Sequence, residues 1–367
     1  EKILGLSLMS LGIFSLGAAI IGHWQALKNI EKNEFKYVPR WSESLSVAII
    51  LLFVGLAAFI PLVIGGIDLS EIFTLNSQVI QSLAALSVFV VMLTTGIKTS
   101  FSDIFSLWQR RDLLIKALFS ALVLFPVGAA IIAGFLLNIP LQTGLGLALL
   151  AAAPGAPLLT QRATLAGGNV PVALSFQVTL ASLAIVTTPL TLLIIALVFS
   201  RVEESAEFLV IAKQIATVQF LPLGIGLLIR RLAGDALDDV SNLFATIVNT
   251  LFLVLIIFLL GISINVVPEV DIKGLIAIIL IVAFGLTCGH ILGGPDIETR
   301  SSVATGTIAR NVGLALFLAA ANGVGKAIPT IIAYMIIGGL VALPYNVWVK
   351  SQMKTEEVET NDAVPVS

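Results

Sequence analysis

Long apolar runs bounded by charged or turn residues dominate the chain. Eleven of them reach the length at which a helix crosses a bilayer, about 18 residues or more. They lie at 3–22, 46–66, 79–97, 114–137, 141–166, 170–199, 207–230, 243–266, 272–294, 298–321 and 326–348. Backbone polar groups cannot stay unpaired in lipid, so runs of this length are expected to be helices; barrel strands would be shorter and would alternate. The tail after Lys350, SQMKTEEVETNDAVPVS, is polar and is expected to be disordered.

Composition turns this pattern into a class. Hydrophobic residues make up 58% of the 367 and charged residues 11%, where a soluble domain carries about 25% charged. Mean hydropathy is +1.06. A soluble globule of this size would leave its own exterior unsolvated. That excludes a secreted domain, a cytosolic enzyme, a disordered chain and a nucleic-acid binder, and leaves an all-α polytopic membrane protein whose first partner is the lipid bilayer. The formal net charge of −2 selects no partner by field. Cys288 is the single cysteine, and neither His23 nor His290 has a metal-ligand neighbour at the right spacing, so no metal or other cofactor is expected. His290 could relay a proton, but a helix-end histidine is more often structural. Lys213 and Gln214 lie near the end of a span, where the lysine can snorkel to water, and no site is expected there. No phosphate loop, nucleophile elbow, zincin or dinucleotide motif occurs, so the chain is read as no enzyme.

Two spans suit lipid poorly. The run 141–166 carries Pro154, Gly155 and Pro157 at its centre and Arg162 beyond them. The run 298–321 carries Gly306, Arg310, Asn311 and several hydroxyls. Proline removes a donor and clashes with the preceding turn. A break at membrane depth is tolerated only inside protein or beside water. The breaks are therefore placed at Pro154, Gly155 and Pro157 and at Gly306. Each broken span is the fourth of a five-span block, 46–199 and 200–349, and five is odd, so the second block enters from the opposite side. Matched breaks in an inverted repeat point to a transporter's binding site; the plainer alternative is that Gly and Pro are common in membrane helices. The expected architecture is a ten-helix (5+5) core with two broken crossing helices. An extra N-terminal transmembrane helix and a basic joint occupy 1–45, and the tail runs over 350–367. Alternating sides puts twelve Lys/Arg on one face and four on the other. The richer face should be cytoplasmic, with the N-terminus outside and the C-terminus inside, in a bacterial inner membrane or an organelle envelope.

A charge near the bilayer centre costs at least about 2.5 kcal/mol, so Arg162 and Arg310 must be buried, paired or hydrated. No acidic residue inside either broken run can pair with them. An arginine beside a cavity can bind an anion with its planar fork. It can also stand as a fixed positive charge where another transporter binds a cation, or cap carbonyls freed by the break. Thr160, Gln161, Thr164, Asn169, Gln177, Thr305, Thr307 and Asn311 are the polar residues expected to line the cavity; hydroxyls and amides also join helices to one another.

PGAPLLTQRATLAGGNV (Pro154 to Val170) resembles the fourth core helix of the bile acid:sodium symporter family, where P-G-G/T-x-x-S-N runs into A-x-G-N-V. RNVGLALFLAA (Arg310 to Ala320) resembles that family's second broken helix, with its Q-N-S-G-L-A, and VVMLTTGIKTSFSDI (Val90 to Ile104) is similar to its V-M-L-G-M-G-x-x-L-x-x-x-D-F. The resemblance covers about 46–348. It implies ten helices in two inverted repeats, a four-helix panel (46–66, 79–97, 207–230, 243–266) moving against a six-helix core, and transport of organic anions, usually with sodium. This chain departs from the family where sodium binds. Leu159 and Thr160 stand in place of a Ser-Asn pair, Gly306 in place of a Glu, and Arg310 in place of a Gln. A following Ser and Thr fall on Ala173 and Gln177, or on Ser175 and Thr179 with a shift of two.

These readings converge on a secondary transporter of a small organic anion by alternating access, lacking the usual sodium sites. Sodium and protons remain candidate coupling ions. The alternatives are a sodium symporter with sites rebuilt from Ser175, Gln177, Thr179 and Thr305, and a non-transporting receptor or scaffold.

Overall fold

A computed structural model describes residues 77–99, 104–199, 207–233 and 267–362. They belong to one compact unit, Asn76–Ser241 with Ser263–Ser367. The expected spans 3–22, 46–66 and 243–266, and the basic joint, lie outside the described residues.

Within the described residues the secondary structure is entirely helical. In chain order the helices are α1 (Ser77–Lys98), α2 (Arg111–Leu136), α3 (Leu141–Ala152), α4 (Leu159–Leu165), α5 (Val170–Val198), α6 (Phe208–Leu232), α7 (Ile272–Leu292), α8 (Ile297–Ile308), α9 (Val312–Ala321) and α10 (Ile328–Asp362). Seven stretches are long and apolar enough to cross a membrane, with α8 and α9 together forming one of them, Ile297–Ala321. The protein is a multi-pass integral membrane protein. The helix starts follow capping chemistry. Asn169 accepts the Val172 N–H at the head of α5, Asp271 the Gly274 N–H at α7, and Asn311 the Leu314 N–H at α9.

Two spans contain a wider π turn just before a proline, and α2 also ends in a second π turn, Ile131–Leu136, that precedes none directly. In α2 the turn is Ser120–Leu124, and the Phe125 N–H reaches back five residues to the Ser120 carbonyl. Pro126 follows. In α6 it is Ala216–Phe220, the Leu221 N–H reaches the Ala216 carbonyl, and Pro222 follows. A proline has no N–H to give to the preceding turn, so the ladder slips by one residue there and one carbonyl is left over.

Close packing is set by glycines. A Cβ on Gly226 would lie 2.2 Å from the Leu93 carbonyl oxygen, and one on Gly96 would lie 2.4 Å from that of Leu223. So α1 and α6 touch backbone to backbone. The apolar centre between α2, α4, α5 and α8 is built from Leu107, Leu159, Phe176, Leu180 and Val303 among others.

One expectation needs correction. The tail after Lys350 is not irregular: α10 runs on as helix to Asp362. Gln352, Met353, Lys354, Glu356, Glu357 and Glu359 are good helix formers, and no Gly or Pro interrupts before Pro365. His290 is tied into an aromatic cluster, with Nδ1 2.9 Å from the Tyr345 hydroxyl and edge contacts to Tyr345 and Trp348.

Candidate functional site

The first break is the six-residue stretch Ala153–Leu158 between α3 and α4, and it holds Pro154, Gly155 and Pro157. Gly155 has φ +76°, and a Cβ there would lie 2.8 Å from the Ala181 backbone nitrogen of α5. Both facts require glycine. The exposed start of α4 is capped from another helix. The Gln177 side-chain oxygen accepts the Thr160 N–H at 2.9 Å and its Oγ1 at 2.8 Å, while Gln177 Nε2 donates to the Pro157 carbonyl at 2.7 Å.

The second break is Ala309–Asn311, between α8 and α9. Gly306, expected at the break, lies inside α8. Its missing side chain makes room for Phe176, whose ring a Cβ would meet at 2.5 Å. The two breaks cross and pair through their backbones: Ala156 N–H to the Ala309 carbonyl at 3.2 Å, and Asn311 N–H to the Ala153 carbonyl at 2.9 Å.

Arg310 lies at this crossing and is 2% exposed. Its guanidinium donates to four backbone carbonyls. Nε reaches Leu150 at 3.0 Å, Nη1 reaches Ala121 at 3.0 Å and Thr307 at 3.3 Å, and Nη2 reaches Ala151. The guanidinium carbon sits 4.6 Å from the Phe125 ring centroid. No carboxylate among the described residues pairs with it. Each acceptor has a local reason to be available. Leu150 and Ala151 belong to the last turn of α3, and Thr307 to the last turn of α8. The Ala121 carbonyl is the one left over by the π turn, because the residue five positions on is Pro126. Arg310 therefore presents no open fork to an anion, which corrects that expectation. It caps two helix ends and a bulge. The Tyr334 hydroxyl completes the set by donating to the Ile308 carbonyl at 2.8 Å.

Arg162 is placed differently. It is exposed on α4, and its guanidinium has no hydrogen bond or ion pair among the described residues. Gln161 and Thr164 are exposed on the same short helix, with Thr164 Oγ1 donating to the Thr160 carbonyl. The other expected site residues are engaged with protein. Asn169 caps α5, and its backbone bonds Glu298 and Ser302 of α8. Thr307 Oγ1 donates to the Val303 carbonyl and lies 2.9 Å from the Ser120 hydroxyl. Asn311 Nδ2 donates to Gln219 at 2.7 Å. Thr305 is the exception: its Oγ1 is buried with no hydrogen-bond partner among the described residues.

Of the substitute sodium set, Ser175, Gln177 and Thr179 do not share one face of α5. Ser175 and Thr179, four apart, share the face of α5 that holds the loop before α2. Ser175 Oγ donates to the Ile104 carbonyl and accepts the Leu107 N–H, and Thr179 accepts the Trp108 indole N–H. Gln177 lies between them on the opposite face.

A cavity of about 500 Å³ is lined by Asn138, Phe199 and Asn322 and also by Ala151, which borders the first break. None of the expected site residues lines it. Sequence reasoning also missed Gln214 and Gln219 of α6. Gln219, fully buried, joins Asn311 to the Ala181 carbonyl, and Gln214 pairs with Asn322. The available signal was two amides five apart in an apolar span.

No curated protein matches the chain. A family model described as the sodium bile acid symporter family matches residues 85–274, 190 of 367 residues. The matched stretch takes in most of α1, the first break and α6, and it stops before the second break. With more than half of its length matched, the chain belongs to the sodium bile acid symporter family, which points to a transporter rather than an enzyme.

Proposed function

We propose that this chain is a secondary transporter of an organic anion that alternates access around the crossing breaks and runs without sodium. The observation that carries the reading is the Arg310 guanidinium held among four carbonyls at the crossing. Two helices, α3 and α8, end there, and each C-terminus presents roughly half a negative charge. One buried guanidinium offsets both. In a transporter without this arginine, a bound cation would answer the same demand. Gln177 supports the reading at the first break, where its amide fills the space between Thr160 and Pro157. Arg162, exposed and unpaired among the described residues, is the arginine left for the substrate.

Thermal unfolding of the detergent-purified protein in sodium chloride against choline chloride, with and without a panel of organic anions, tests this. The expected result is stabilisation by an anion that is indifferent to sodium and lost in Arg162→Gln. A ligand at a hundred times its dissociation constant stabilises by about 2.7 kcal/mol, well within reach of the assay. Sodium-specific stabilisation of the native protein, or uptake driven by a sodium gradient in proteoliposomes, would overturn the reading.

A further inference from the structure

Helix α6 is joined to α9 by two amide pairs, one at each end of α9. At the start of α9, Asn311 Nδ2 donates to Gln219 Oε1 at 2.7 Å. At its end, Asn322 Nδ2 donates to Gln214 Oε1 at 3.0 Å, and Gln214 Nε2 returns a longer bond to Asn322 Oδ1 at 3.4 Å. In a regular helix, residues five apart point about 140° away from each other. The π turn Ala216–Phe220 follows Gln214 and contains Gln219; its wider winding narrows that separation, so both reach one neighbour. The bulge before Pro222 therefore has a consequence: it gives α6 two holds on α9.

The two holds differ in kind. Gln219 is fully buried and also donates to the Ala181 carbonyl at 2.8 Å, so releasing it would strand three buried groups. Gln214 and Asn322 are half-buried, and water can take over their hydrogen bonds on separation. Asn322, Leu318 and Ile211 all line the cavity that Ala151 also borders. The outer pair thus closes the seam between α6 and α9 along that cavity's wall.

We propose that the Gln214–Asn322 pair is a gate: it opens and closes the seam between α6 and α9, while Gln219–Asn311 stays made as the pivot. The proposal rests on the alternating-access reading for its purpose, since α6 and α9 must then move against each other. Gln214 is a positioning residue in this scheme, acting through Asn322.

The test uses the full-length protein with Cys288→Ser and a single cysteine at Leu147→Cys, a cavity position only 3% exposed. A membrane-impermeant methanethiosulfonate labels it in potassium chloride. Gln214→Met keeps the shape and removes both bonds; labelling should accelerate about fivefold, the population change expected for losing the 3.0 Å bond, with the long 3.4 Å bond adding little. Gln214→Glu keeps an acceptor for Asn322 Nδ2 and should label at the native rate. A second single-cysteine protein, Val282→Cys in the fully buried part of α7, reports general loosening. An unchanged Leu147→Cys rate in Gln214→Met overturns the gate, and so does a parallel rise at Val282→Cys. Adding sodium to the Gln214 protein separates the two readings. A sodium-dependent labelling rate removes the sodium-free transporter and leaves the gate standing.

Discussion

Replacing Arg310 by methionine removes the charge and the donors but keeps most of the volume. Of its four acceptors, Leu150 retains a bond from the Ala153 N–H at 3.1 Å. The Ala121 and Ala151 carbonyls lose the side-chain donor that caps them. Each stranded carbonyl costs about 1–3 kcal/mol, which sums to roughly 2–6 kcal/mol. The relief of no longer burying a charge works the other way. However, replacing a buried polar group by an apolar one is neutral only when both partners go, and here the carbonyls stay. The expected outcome is a melting temperature lower by roughly 4–24 °C, at about 2–4 °C per kcal/mol for a chain of a few hundred residues. Tryptophan fluorescence or size-exclusion recovery after heating measures it. A second arm separates electrostatics from packing. In Arg310→Ala, millimolar guanidinium or sodium should recover part of the loss by binding the vacated carbonyls, while neither affects the native protein at that concentration. A variant that melts at the native temperature, or native and variant proteins that respond equally to sodium, would refute the reasoning.

Gln177→Leu removes the only side-chain cap observed on α4; it should lower stability by about 1–2 kcal/mol in the same melting assay, with Gln177→Glu closer to native because the acceptor survives. Gly155→Ala forces a Cβ into a left-handed residue and within 2.8 Å of the α5 backbone, so it should reduce the recovery of folded protein sharply, where Gly323→Ala, which has open space around it, should cost only about 1–2 kcal/mol of backbone strain. Thr305→Val replaces a buried hydroxyl without a partner by an isosteric methyl and should raise the melting temperature; a fall would mean that the hydroxyl holds a bound water or solute.

Hydropathy alone placed the described spans to within a few residues, because a bilayer demands length and apolar character from each helix by itself. The first break was equally plain: Pro154, Gly155 and Pro157 disrupt a helix through their own covalent structure. The second break contains neither glycine nor proline. What ends α8 at Ile308 is the Asn311 cap of α9 and the pairing with Ala153, and Gly306 drew attention only because glycine elsewhere marks breaks. The part played by Arg310 was illegible for a related reason. Its acceptors are backbone carbonyls some 160 and 189 residues away, and carbonyls carry no sequence signature. The one hint lay at Phe125-Pro126, where a missing N–H frees a carbonyl. Gln214 looked like a helix-end polar residue and Gln219 drew no notice, because their partners lie 108 and 92 residues away.

The crossing is fastened by peptide groups rather than by side chains, and mutation cannot delete a peptide carbonyl, nor its N–H except by introducing proline. The scaffold and the ion chemistry are thereby separable. A side chain at position 160, 177 or 310 can be exchanged while the backbones of Ala153, Ala156, Ala309 and Asn311 continue to pair. On the transport reading proposed above, a coupling ion could be exchanged or given up through side chains alone, with the peptide pairing that fastens the breaks left in place.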